Sequence, residues 1–287
     1  MGPVTFFDVS PAQLKAPRLT RPPRRLRRDQ WEEVHANRLE RMRRHGAVSV
    51  MAPQATGMEV KMFERSFGLG FFDGPAGALS HHLWIMPEEG EYGPWQVMWM
   101  AYSTFEQLRE LLAVLKSFQD QVHLLKIPVP SWLPFYDLVE QPARMGIITR
   151  GGGFATGIRD AWWVQVRVLD LLACVGAMRC EPLRFGLELR DPVERYLPEE
   201  SAWRGVGGRY EIALGPESQA RRLDEAAPWP PGVPVLKASA GAFSRLWFGV
   251  AAASVLAFTD EMSGPPELIK ALDEAISLPR PDFDWDT

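Results

Sequence analysis

The chain has 287 residues, 46% of them hydrophobic and 24% charged, with a net charge of −4. That composition can bury a sizeable core, the length favours two domains over one, and the slight acidity excludes a general attraction to nucleic acid or to an anionic membrane. No apolar run reaches the ~20 residues of a membrane span, Met1-Gly2-Pro3-Val4 does not begin a signal peptide, and Cys174 and Cys180 fit neither a zinc nor a disulfide pattern, so a soluble, cytoplasmic protein is expected.

Residues 1–28 are rich in proline and arginine and are expected to form an extended basic arm. Arg18, Arg21, Arg24, Arg25, Arg27 and Arg28 crowd into it. Such a cluster can bind phosphates, but pairing with acidic surface of its own or a neighbouring subunit is the reading favoured here. Asp29 with Glu32 predicts a helix start, Trp31, Val34, His35, Leu39 and Met42 recur at helical spacing, and Gly46 ends the pattern. Short apolar runs at 47–51, 58–63, 82–86 and 96–102 then predict a strand meander. Ser103-Thr104-Phe105-Glu106 caps a second helix carrying Leu108, Leu111, Leu112, Leu115 and Phe118, and a strand is expected over 122–129.

Prolines at 128, 130, 134 and 142, then Gly151-Gly152-Gly153, mark a boundary. Beyond it, strict alternation predicts strands over 162–168, 183–189 and 209–214. Asp170 caps a short helix, Val235-Leu236-Lys237 reads as a further strand, and helices are expected after Ser239 and from Pro265 to about Ile276. The order of elements is α+β.

The run Trp163-Val164-Gln165-Val166-Arg167-Val168-Leu169-Asp170 resembles the strand opening the C-terminal domain of Eis-like (enhanced intracellular survival) N-acetyltransferases, a domain similar to sterol carrier protein. Gly208-Arg209-Tyr210-Glu211-Ile212, the Ser239 helix followed by Gly249, and Leu268-Ile269-Lys270-Ala271-Leu272-Asp273 before an aromatic tail fit the same pattern, and 38–129 looks like the family's second, degenerate GNAT-fold domain. The resemblance implies a GNAT-like non-catalytic domain at 29–150 and a sterol-carrier-like α/β sandwich at 151–287. It also implies acetyl-CoA as cofactor, but the family's catalytic GNAT domain has no room before Arg38, so its coenzyme pocket and tyrosine acid map onto no residue here.

A coenzyme pocket of that type needs a glycine-rich turn between strand and helix, where backbone N–H groups meet the diphosphate. The strand-to-helix turn at 100–106 has no glycine and places Glu106 where a phosphate would sit. Arg150-Gly151-Gly152-Gly153-Phe154-Ala155 matches the motif literally, but a strand rather than a helix follows, so it reads as a linker. Gly68-Leu69-Gly70 reads as a turn. Adjacent His81 and His82 would point to opposite faces of a strand, His35 reads as a core histidine, and no His/Cys/carboxylate set has metal spacing.

By resemblance, the terminal carboxylate of Thr287 could serve as general base, with Trp285 and Phe283 packing beside it on the substrate side. Phe243, Trp247, Phe248, Leu256 and Phe258 are candidates to line a carrier-type tunnel. Three readings stand. The chain is a truncated, split or shortened C-terminal portion of an Eis-like acetyltransferase, not catalytic alone; or an apolar-ligand binder; or a non-catalytic assembly protein. A homo-oligomer and a small amine or apolar ligand are the partners expected.

Overall fold

Two separate sheets are written into the chain, and the computed structural model, which describes residues 3–42, 51–88, 92–142, 157–163 and 165–281, forms two units around them. The first unit ends at Trp163 and the second runs on to Pro281.

The first unit holds strands β1 (Pro3–Val9), β2 (Arg24–Leu26), β3 (Phe67–Phe71), β4 (His81–Pro87), β5 (Trp95–Ala101), β6 (Leu125–Val129) and β7 (Gly157–Trp163). Their order across the sheet is β2-β3-β4-β5-β6-β1-β7. Helices α1 (Trp31–Leu39), α2 (Pro53–Met62) and α3 (Phe105–Lys116) cover it. Strand β4 is central and apolar on both sides, as a strand between two layers must be. Leu83 and Ile85 pack with Leu108, Leu111, Leu112 and Leu115 of α3. Trp84 packs on the other face with Val34 of α1 and Val60 of α2. Burying each such side chain contributes about 1.5–3 kcal/mol. Gly68 of β3 lets Trp84 lie flat on the strand: a Cβ there would stand 2.4 Å from the indole ring.

All neighbours in this sheet run antiparallel except β5 and β6. These two run parallel and pair only at Trp95↔Leu125 and Gln96↔Lys126 before their ladder ends.

Several expectations need correction. The opening segment is no free arm: β1 lies between β6 and β7, with Phe7 and Val9 in the core. Residues 58–63, expected as a strand, end helix α2, which Pro53 starts and which buries Thr56, Gly57 and Val60 at helical spacing. Gly68 and Gly70 belong to strand β3 rather than a turn. The strand expected over 162–168 ends at Trp163 and is the edge of the first sheet, while Val168 is a core residue of the second unit. Alternation sets the two faces of a strand but not which sheet receives it.

Five of these arginines find partners within the unit. Arg21, Arg24 and Arg25 lie over Phe71, Phe72 and Phe67, with centroid distances of 4.6, 5.2 and 4.7 Å. Arg27 pairs with Asp29, and Arg28 donates to the carbonyls of Phe63 and Glu64. Their charges also guard the edge strand β2 against pairing with another chain.

The second unit has a five-stranded sheet ordered β10-β9-β8-β11-β12, from β8 (Leu183–Arg190), β9 (Gly208–Leu214), β10 (Gln219–Leu223), β11 (Val235–Ser239) and β12 (Met262–Ser263). Only the β8–β11 pair is parallel. Helices α4 (Leu171–Ala177), α5 (Ala240–Trp247), α6 (Ala253–Thr259) and α7 (Pro266–Ala275) share one core with the sheet. Asp170 and Ser239 accept the backbone N–H groups of Ala173 and Ala242, as N-caps do. The fold is thus α+β, with a mixed sheet in each unit. No described helix is long and apolar enough to cross a membrane.

Candidate functional site

Where two parallel strands lose their pairing and a helix starts beside them, backbone donors can face a ligand. Here that place is the turn from β5 into α3. Thr104 Oγ1 accepts the N–H of Gln107 at 3.2 Å, and Gln107 Oε1 accepts the N–H of Ser103 at 2.6 Å. The Leu108 N–H already donates to the Thr104 carbonyl. Glu106 is held below the usual carboxylate range, first by the N–H of its own residue and then by the Thr104 hydroxyl. Of the four amides at the helix start that lack an intrahelical partner, those of Gln107 and Glu106 are engaged locally, the Ser103 N–H just before them is closed by Gln107, and the turn carries a carboxylate.

The turn is also tied down from outside the helix. Ser103 Oγ donates to the Glu40 carbonyl at 2.9 Å, and the Met42 N–H donates to the Tyr102 carbonyl at 2.6 Å. Phe105 meets Trp132, from the loop after β6, edge-on at 6.3 Å between centroids. Acetyl-CoA, which the resemblance implies, does not fit here: a diphosphate would meet Glu106 and an amide set already in use. The literal motif at 150–155 lies outside the described residues. So do Phe283, Trp285 and Thr287.

The histidines divide as strand geometry requires. Trp99 Nε1 donates to His82 Nε2 at 3.0 Å, so His82 carries its proton on Nδ1 and donates it to Asn37 Oδ1 at 2.6 Å. Asn37 Nδ2 donates on to the carbonyls of Leu79 and Ser80. Burial first, and then the charge of Arg38, push the His82 pKa down to about 3. It is a neutral structural group. His35 is likewise buried, with Nδ1 at 3.0 Å from Thr56 Oγ1, and burial followed by Arg38 lowers its pKa. His81 faces the α3 side instead, next to Glu110, Asp73 and Arg21. Sequence spacing did not reveal that set, because its members come from a loop, a strand and a helix.

In the second unit, Phe243, Trp247 and Leu256 are filled in by neighbouring core side chains, and Phe258 is 90% exposed. Phe248 is half-buried against the same core. A groove of about 870 Å³ opens instead beside β8, β11 and β12. Its charges are largely matched: Arg190 with Glu261, Lys237 with Glu188 at 3.3 Å, and Arg245 with the lining Asp260 at 2.9 Å. Arg209 lies over Trp229 at 4.1 Å and donates to the carbonyls of Glu225 and Ala227. Cys174 and Cys180 are free, and burial raises both thiol pKa values.

No protein-family model matches the sequence, and no curated protein is similar to it in sequence. Solved structures are similar in fold. A GCN5-related N-acetyltransferase from Kribbella flavida superposes with a TM-score of 0.68 at 16% identity, over 99% of this chain and 64% of that one. For a GCN5-related N-acetyltransferase from Anabaena variabilis the values are 0.72, 9%, 99% and 67%. For Eis1 from Mycobacterium abscessus they are 0.68, 16%, 100% and 68%. The chain therefore has the fold of GCN5-related N-acetyltransferases across its whole length. It spans about two-thirds of the length of these proteins.

Proposed function

We propose that the chain is a scaffolding portion of an Eis-like N-acyltransferase and does not hold acetyl-CoA by itself. The observation that carries this reading is the internal closure of the α3 turn, in which Thr104 takes the Gln107 N–H, Gln107 takes the Ser103 N–H and Glu106 sets a carboxylate. The fold, shared with the structural neighbours over 99–100% of this chain, supports the family part of it. On this reading the acyl donor is bound by polypeptide outside the described residues or by a partner, and the second unit is a carrier-like domain whose candidate lining residues Phe243, Trp247 and Leu256 belong to its core. An apolar cargo is disfavoured by the packing of Phe243, Trp247 and Leu256.

The test is a thiol-release assay on the purified chain with acetyl-CoA and a panel of primary amines. The expected result is release at the background rate. Amine-dependent turnover by the chain alone, abolished by denaturation, would defeat the proposal.

A further inference from the structure

We propose that Asp73, His81 and Glu110 form a site for a divalent first-row metal ion, with Zn²⁺ as the best match, and that Arg21 is the resident cation the metal must displace. One carboxylate oxygen from each acid and one histidine nitrogen lie within 4.8 Å of one another. His81 Nε2 is already 3.0 Å from Glu110 Oε2. Three ligands at about 2.0–2.2 Å from one ion stand roughly 3.0–3.5 Å apart, so the widest separation must close by about 1 Å. One imidazole with two carboxylates is a donor set suited to zinc and its neighbours.

The histidine is positioned as a ligand would be. Its ring is buried, stacks on Phe71 at 4.6 Å, and places Nδ1 2.9 Å from Ser80 Oγ. Ser80 Oγ is itself anchored by the Asp73 N–H at 3.2 Å and the Phe71 carbonyl at 2.9 Å. An outer hydroxyl that fixes one ring nitrogen aims the other, as outer-shell partners do at metal centres.

Charge then favours exchange. The two carboxylates face one guanidinium, whereas a divalent ion carries the charge to balance both. Arg21 donates from Nε and Nη2 to Glu110 at 2.6 and 2.8 Å and from Nη1 to Asp73 at 2.7 Å. Its side chain is 44% exposed, and it sits three residues before β2, in the irregular stretch that follows the Leu14 bridge to Val139. Arg21 can swing toward water, and its departure removes its bonds to Glu110 and Asp73 and its contact with the Phe71 ring, loosening the residues beside it.

The experiment titrates Co²⁺ into the intact chain and into Arg21→Met, Arg21→Met/His81→Ala and His81→Ala variants, reading the visible d–d absorption of the bound ion and then displacing it with Zn²⁺. Arg21→Met should bind roughly ten- to a hundredfold more tightly than the parent, since charge-assisted bonds no longer compete. Adding His81→Ala should remove that gain. In the parent chain, saturating Zn²⁺ should speed tryptic cleavage at Arg18–Leu19, measured against a small substrate that reports trypsin's own response to zinc. Equal affinity in the parent and Arg21→Met, or affinity indifferent to His81, overturns the proposal. If circular dichroism shows Arg21→Met unfolded, the parent's cleavage decides alone, and a zinc-independent rate overturns it.

Discussion

Acid should unfold this protein partly through one histidine. His82 is fully buried, gives its Nδ1 proton to Asn37 and receives the Trp99 indole N–H on Nε2. A second proton would set N–H against N–H in a dry site, near the charge of Arg38. The folded pKa is about 3, against about 6.5 for an unfolded chain. The group is depressed on folding, so its contribution is complete above the unfolded value and is lost as pH falls from about 6.5 toward about 3. By about pH 4.5 that loss is about 3 kcal/mol at 1.36 kcal/mol per pH unit. Urea unfolding at about pH 7 and about pH 4.5 measures it, with His82→Gln as reference, because an amide can donate to Asn37 and accept from Trp99 without titrating. The parent should lose about 3 kcal/mol more than the variant across that interval. Equal losses would refute the reasoning, since His35 and His81, whose pKa values are also lowered by burial, are common to both proteins.

Two further predictions concern packing and polar anchoring. Gly68→Val places a Cβ 2.4 Å from the Trp84 ring, and thermal unfolding should show a cost of about 1–3 kcal/mol with near-ultraviolet dichroism altered by the displaced indole. Asp191, whose side chain is 1% exposed, pairs with Arg167 and accepts the N–H groups of Val193 and Val206. Asp191→Ala should cost about 3–5 kcal/mol in urea unfolding, because three donors lose one acceptor. Although burial opposes ionisation, Arg167 and the two N–H groups hold the Asp191 carboxyl below its usual range. The part of its contribution that titrates is thus present above about pH 4 and lost as pH falls below it.

Much of the second unit was legible in the sequence. The strands at 183–189 and 209–214 alternate cleanly because one face meets helices and the other water. Asp170 and Ser239 announce helix starts through their own side-chain chemistry and cap as expected, while within the expected run 103–106 the cap falls on Thr104, paired with Gln107 rather than Glu106. The edge strand β10, Gln-Ala-Arg-Arg-Leu, was missed because it buries little and has no apolar period to show. Strand β1 was missed because proline and arginine in the following residues dominate the composition of a segment whose Phe6, Phe7 and Val9 are core. Helix α2 was misread because Met58 and Met62 face solvent while Thr56 and Gly57 are inside, inverting the usual pattern.

The site was legible only in part. The missing glycine and the placement of Glu106 at the α3 turn can be read directly. That Gln107 reaches back past Thr104 to the Ser103 N–H is a choice of side-chain conformation the sequence does not spell out, and that Trp132 meets Phe105 depends on the loop after β6 returning to the helix start. The gathering of Asp73, His81 and Glu110 depends on pairing between β3 and β4 and on α3 crossing them, which no local spacing encodes.

Isothermal titration of acetyl-CoA into the purified chain most directly probes whether the α3 amides are closed to a diphosphate. The account predicts no saturable heat up to about 1 mM ligand, which corresponds to less than about 4 kcal/mol of binding. One-to-one binding in the micromolar range, weakened by a bulky substitution at Ser103 within that turn, would contradict it.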